Sequence, residues 1–348
     1  MSPYLSDKIK VISLIAITMV IYIHTYYTEG ENYPFFMSLQ RLMGGMGISG
    51  IANPLFYFTS GYLFFLSINT IKDCFPKIRK RIHTLFVPYI LANTIAFLMY
   101  AVLDAVSRTS PQLYNVVNFH ILDWFSLDIG QILYKTYWQP VAFQLWFVRD
   151  MLIFVFLSPI IYFALKNLSR NRYLTIITLL TLLVVYFVTS MHVLWMAIGG
   201  IISLSGIIDI TKGEMTKART AIMHISGALF LVCVVINATD IHELKFGYAL
   251  FGVIAAWLLY DNILKGRILC NNLKLAEACS YSFFIYLIHE PTLLIFKKIP
   301  LIIFGNNEIP LVICFIIIPI IFVAITIFVG KIFRRYIPKA FNIYTGGR

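Results

Sequence analysis

Three places in the sequence put ionisable side chains inside long apolar runs. His24 lies in KIKVISLIAITMVIYIHTYY, the adjacent pair Arg149–Asp150 lies in VAFQLWFVRDMLIFVFLSPII, and the pair His289–Glu290 lies in SYSFFIYLIHEPTLLIF. A charge in hydrocarbon costs about 3 kcal/mol on insertion scales, so each group should face a protein interior or a wet cavity. An imidazole beside a carboxylate can serve as a general base on a hydroxyl, the carboxylate holding the productive tautomer. A guanidinium or a second imidazole can steady a developing oxyanion. Asp150 or Glu290 would orient His24 in such a set, and Arg149 or His289 would take the oxyanion. The structural alternatives are a histidine bonded to a backbone carbonyl and an interhelix ion pair. Neighbours on a helix point about 100° apart, so Arg149 and Asp150 need not pair with each other.

A second kind of chemistry is written in KDCFPKIRKRIHTLFVPYI, the densest basic segment of the chain. Lys77, Arg79, Lys80 and Arg81 suit a polyanion such as the phosphates of a nucleotide-type cofactor, or else lipid headgroups. Upstream, Pro54, Ser60 and Gly61 in NPLFYFTSGYLFF loosen a helix and expose carbonyls. The glycines of GGMGISG fit close helix approach better than a phosphate loop, which needs a Gly-Lys-Ser/Thr ending.

These residues require apolar helices to carry them. The 348 residues are 59% hydrophobic and only 13% charged, and the mean hydropathy is +0.81. Soluble domains run about 45–50% apolar and about 25% charged. The expected fold is all-α: a polytopic bundle of about ten spans near 8–27, 50–70, 84–105, 141–165, 172–190, 191–210, 219–239, 246–264, 275–296 and 308–330. One domain would cover 1–340, with 341–348 a short cytoplasmic tail. The runs are about 20 residues long, which excludes the alternation of an outer-membrane barrel.

The net charge of +12 is a topology signal and not a nucleic-acid footprint. With a cytoplasmic N-terminus, basic residues crowd the cytoplasmic loops. Only Arg41, Arg108, Lys135, Lys245, Lys297 and Lys298 fall opposite, so both termini are expected inside. No small-residue cleavage site follows the first run, which is therefore expected to be retained. The five cysteines show no paired spacing, so neither a disulfide framework nor a metal site is indicated. The long connection 106–140 holds Asp123, Trp124, Asp128, Tyr137 and Trp138, which suit an interface-lying helix or a sugar-stacking surface. Nothing in the sequence bears on oligomeric state.

On this topology His24, Arg149–Asp150 and His289–Glu290 all fall in the extracytoplasmic half of the bilayer. The ordered set of segments resembles the membrane acyltransferase-3 family, the integral-membrane O-acyltransferases of bacterial cell-surface glycans. The matching pieces are VIYIHTY, FYFTSGYLFF, KIRKRIHTLFVPYI, LWFVRDMLIFVFLSPIIY and YSFFIYLIHEP, spread over nearly the whole chain. The resemblance implies a multi-pass protein of the bacterial inner membrane. It also implies transfer from acetyl-CoA, or another acyl-CoA, to a hydroxyl of a cell-surface or lipid-linked saccharide, with His24 essential. The family commonly has arginine or lysine eleven residues before that histidine. Here Ser13 stands there, with Lys10 or Lys8 one turn toward the cytoplasm as substitutes, or Arg79 and Arg81 in that role instead.

The mechanism expected from depth docks acyl-CoA phosphates at Arg79, Lys80 and Arg81 with Lys10 nearby. The acyl arm passes Ser60 and Tyr89, and His24 is the base. A transporter or flippase is the rival, though many such folds show repeated halves, and IYIHTY and LWFVRD have no counterpart in the second half. A non-catalytic ligand-binding protein of the same architecture is the other. Release of free thiol from acetyl-CoA separates an enzyme from both.

Overall fold

The computed structural model describes residues 2–28, 32–45, 47–109, 114, 120–167, 191–205, 213–239, 245–264 and 272–347. Among these the regular elements are all helical. In chain order they are α1 (Pro3–His24), α2 (Pro34–Met43), α3 (Ala52–Phe65), α4 (Cys74–Arg81), α5 (Val87–Ser107), α6 (Ile129–Leu133) and α7 (Trp146–Asn167). There follow α8 (Met191–Ser205), α9 (Lys217–Ala238), α10 (Lys245–Leu259), α11 (Leu273–Cys279), α12 (Ser282–Phe304), α13 (Glu308–Tyr336) and α14 (Pro338–Thr345). Each expected span contains a helix except 172–190, which lies outside the described residues.

Among the described residues four helical stretches are long and apolar enough to cross a membrane: Ile71–Ser107, Phe143–Lys166, Lys217–Ala238 and Glu308–Tyr336. Their outward faces carry uncovered large side chains, among them Val235 on α9 and Ile320 and Phe328 on α13. Apolar area of that extent needs a bilayer to cover it. The helices α1 and α12 are of similar length but carry Asp7, Lys8 and Lys10, and Glu290, Lys297 and Lys298. Of these, Lys8 and Glu290 are buried, Asp7, Lys297 and Lys298 are half-buried, and Lys10 is exposed.

Local sequence sets both ends of α1. Ser2 caps it by accepting from the Leu5 amide, and Pro3 occupies the first turn, where a missing N–H costs nothing. At the far end Thr25 donates its hydroxyl to Ile21 O at 2.6 Å, and the helix stops at His24. The beginning of α1 is fastened from the side. Lys8 Nζ lies 2.7 Å from Asp261 Oδ1, both fully buried, and 4.0 Å above the Trp257 ring. Tyr4 donates to the same carboxylate and Arg219 Nη2 reaches it at 3.3 Å.

Close backbone approach occurs between α3 and α8. A Cβ at Gly61 would stand 2.0 Å from Met196 O, and one at Gly199 would stand 2.1 Å from Phe58 O. Of the glycines in 44–50, expected to serve helix packing, Gly44 and Gly47 close a turn onto their own backbone, while Gly45 faces Ile23 of α1 and Gly50 faces Tyr248 of α10. A Cβ at Gly47 would meet Leu42 O at 1.9 Å. The stretch expected as a tail is largely helical as well: α14 buries Phe341 and Tyr344 against Tyr281, Phe284 and Phe333.

Candidate active site

His24 closes α1, where the chain leaves the helix and its side chain is only part-buried. Its ring lies 5.2 Å from the ring of His289, tilted by 33°, and meets the edge of Phe143 at 4.9 Å. Lys297 Nζ donates to the His24 carbonyl at 3.0 Å, which fixes the end of α1 against α12. The two sequence-predicted histidines thus stand ring to ring.

The second histidine is held by a break in its own helix. A residue before proline is pushed out of the helical region, and Glu290 before Pro291 takes φ −114° and ψ 132°. Two groups answer the break. Pro291 has no amide to offer Leu287 O, and Tyr344 Oη of α14 donates there at 3.5 Å. The Glu290 carbonyl turns out of the helix and accepts from Gln144 Nε2 at 3.2 Å. One turn earlier, His289 Nδ1 lies 2.8 Å from Tyr286 O. A carbonyl only accepts, so Nδ1 carries the hydrogen and Nε2 carries the lone pair. That nitrogen is buried with no hydrogen-bond partner among the described residues.

Arg149 and Asp150 stand just inside the start of α7. The flexible guanidinium overcomes the 100° separation: Nε and Nη2 donate to Asp150 Oδ1 at 3.0 and 2.9 Å. Nη1 donates to Trp138 O at 2.8 Å, and the Trp138 ring lies 5.9 Å from the guanidinium. The pair therefore ties α7 to the turn that ends the 106–140 connection. Tyr89 belongs to the same corner, donating to the carbonyl of Tyr137.

A cavity of about 460 Å³ runs alongside, between α1, α3, α7 and α12. Lys10, Ser13 and Arg81 line it, as does Ser60, and Phe147 and Tyr286 belong to its wall as well. Tyr286 also carries the carbonyl that holds His289, and its ring lies 5.8 Å from the imidazole. One aromatic layer thus separates the cavity from the histidine pair. Of the residues expected near a donor, Lys10, Ser60 and Arg81 are brought together here. Arg79 and Lys80 are exposed on α4, and Tyr89 lies with Arg149.

Residues 8–329 match the profile of an acyltransferase domain, acyltransferase family 3. The chain belongs to that family. Over 374 aligned positions it is 21% identical to the succinoglycan biosynthesis protein ExoH of Rhizobium meliloti (strain 1021), covering 100% of this chain and 94% of that protein. No solved structure matches it. With its apolar helices, this acyltransferase is a membrane protein.

For the acyltransferase, the site adds residues that the sequence did not single out. Phe143, Gln144, Tyr286 and Lys297 all touch the histidine pair or its supports. Gln144 is the readable one, an amide side chain in the otherwise apolar VAFQLWF. Ser13 and Lys10, three residues apart, share the cavity face of α1, whereas Lys8 is committed to Asp261.

Proposed function

We propose that the protein is an O-acyltransferase that moves an acyl group from acyl-CoA, acetyl-CoA foremost, to a hydroxyl of a cell-surface or lipid-linked saccharide. The observation that carries this reading is the ring-to-ring meeting of His24 and His289 beside a cavity with basic residues in its lining. The cavity suits the donor in two respects. Lys10 and Arg81 offer charge for phosphates, and the largely apolar walls suit a slender pantetheine-acyl arm more than a whole nucleotide. Acyl-CoA supplies the activated thioester.

The protein's own residues do the rest. The His24 imidazole takes the proton of the acceptor hydroxyl as its oxygen bonds to the acyl carbon, and the proton then passes to the departing sulfur. The His289 ring backs His24, and Lys297 holds the backbone of His24 in place. Arg149 and Asp150 brace the corner where α7 meets Trp138, which keeps Phe143 against the His24 ring. Lys10 takes the role that a basic residue at position 13 has elsewhere in the family. The remaining expectations enter as part of the same reading: ten spans, both termini cytoplasmic, inner-membrane placement and a single domain over 1–340.

The test is replacement of His24 by alanine. The variant is expected to reach the membrane in normal amount and to leave surface glycans without the acyl ester, read by mass spectrometry. Full retention of acylation would refute the reading.

A further inference from the structure

Away from the histidine pair, a groove of about 620 Å³ lies between α1, α9, α10 and the turn 48–51 that leads into α3. Its floor is buried, with Ile12, Ile51, Leu55, Met223 and Phe230. Its rim is exposed at Ile15, Leu231, Leu259 and Ile263, so the groove is open on the outward side of the membrane-crossing α9. A Cβ at Gly227 would meet nothing within 4 Å, which leaves α9 narrow there. Apart from His224 and the Tyr260 phenol, the lining is apolar among the described residues.

His224 is the residue that an apolar groove does not explain. It is exposed on α9 and takes no hydrogen bond or ion pair among the described residues. An imidazole facing hydrocarbon is costly, so this one calls for a polar group from outside the protein. Its place on the helix says which group. Lys217, also exposed and unpaired among the described residues, stands seven residues earlier. Seven residues bring a helix back to the same face within about 20° and advance it about 10 Å. The polar headgroup layer is about 5–8 Å deep on each side of a bilayer. With Lys217 at the level of the phosphates, His224 falls where headgroups give way to chains, and its N–H can donate to an ester carbonyl.

Charge at that end of the groove agrees. Tyr260 adjoins Asp261, whose carboxylate is shared by Lys8 and Arg219, and Arg219 also donates to the Glu214 carbonyl. Lys8, Lys217 and Arg219 thus outnumber Asp261 and Glu214, which favours an anion. A free phosphate would leave the apolar trough bare. A hydrocarbon chain without a headgroup would leave His224 and Lys217 unanswered.

We propose that this groove is a binding site for one anionic glycerophospholipid. Its chain lies in the trough over Gly227, His224 donates to its ester, and Lys217 pairs with its phosphate. The proposal does not depend on the acyltransferase reading.

The experiment titrates the purified full-length protein, delipidated in detergent, with dioleoyl phosphatidylglycerol or dioleoyl phosphatidylcholine. Native mass spectrometry counts retained lipid, and thermal unfolding reads the stabilisation that a bound ligand confers. The wild type is expected to retain one phosphatidylglycerol, to melt higher with it, and to hold phosphatidylcholine about tenfold more weakly. Gly227→Leu fills the trough: it should melt with the wild type in the absence of lipid, yet retain none and show no upward shift. Lys217→Gln and His224→Leu should each weaken retention of phosphatidylglycerol, Lys217→Gln by about tenfold, as for the loss of one charge-assisted bond. Wild-type retention by Gly227→Leu overturns the proposal, because the lipid then sits elsewhere. A Gly227→Leu protein that melts lower without lipid also overturns it, because the trough is then closed by packing. Equal retention of the two lipids, or no effect of Lys217→Gln, removes the headgroup assignment and the proposal with it. A lipid-free dimer of the wild type would give the groove to a second copy, with the same consequence.

Discussion

The imidazoles of His24 and His289 face each other at 5.2 Å, one at the end of α1 and the other just before the break in α12. The arrangement follows from two local features. The α1 helix stops where Thr25 turns its hydroxyl back to Ile21, and α12 bends where Pro291 forbids helical geometry at Glu290. Lys297 then joins them by donating to the His24 carbonyl. Neither imidazole stands alone against lipid.

Two adjoining imidazoles predict shared kinetics. Alone, His24→Ala should lower transfer by about 10²–10⁴-fold, the range for losing a positioned base. His289→Ala should also lower it, and the double variant should be little worse than His24→Ala alone, because groups that act as a unit are not additive. Thiol release from acetyl-CoA in the presence of acceptor checks this. Two independent, multiplying losses would place the histidines in separate roles.

Lys8 and Asp261 make a different prediction, one about stability. Both are fully buried; removing Asp261 leaves the Lys8 charge uncompensated, whereas removing Lys8 leaves Asp261 with Arg219 and Tyr4. Asp261→Leu alone should cost about 3–5 kcal/mol and Lys8→Met less, and the pair replaced together should recover much of the larger loss. Thermal unfolding in detergent, followed by size-exclusion fluorescence, reads the difference. Equal destabilisation by the single and double variants would contradict it.

The burial cost of charge made much of the site legible beforehand. It marked His24, Arg149, Asp150, His289 and Glu290, and the structure brings the rings of both histidines to 5.2 Å. It was silent on Gln144, because an uncharged amide raises no alarm in a hydrophobic run. Charge counting also could not show that Lys8 turns to Asp261 while Lys10 turns to the cavity, since facing depends on neighbours far along the chain. Helical spacing left open whether Arg149 and Asp150 would pair, and a long guanidinium folds back to its neighbour. The GGMGISG glycines suggested helix packing, and they divide between a tight turn at Gly44 and Gly47 and contact with neighbouring helices at Gly45 and Gly50.

The true crossing lies at Gly61. Its missing Cβ lets α3 rest on the Met196 carbonyl of α8, and a larger side chain would meet backbone that cannot yield cheaply. Gly61→Leu should destabilise the protein by about 3 kcal/mol, with little gain from repacking. The same substitution at Gly227, where a Cβ would meet nothing within 4 Å, should be tolerated. Melting temperatures of the two variants make the comparison, and a Gly61 variant as stable as the Gly227 variant would refute the close crossing.

The cavity separates basic residues that the sequence grouped together. Arg81 lines it with Lys10, whereas Arg79 and Lys80 are exposed on α4. A charge-assisted hydrogen bond contributes about 1.5–3 kcal/mol, so Arg81→Ala or Lys10→Ala should raise the KM for acetyl-CoA by about tenfold or more. Their kcat should move less, because these groups would bind donor phosphates and stand apart from the reacting atoms. Arg79→Ala and Lys80→Ala should change KM only slightly, and that small effect should fade with added salt as expected of exposed charge. Initial rates over a range of acetyl-CoA concentrations decide the matter. If Arg79→Ala raised KM as far as Arg81→Ala, the donor would be seated on the outer face of α4 and not in the cavity.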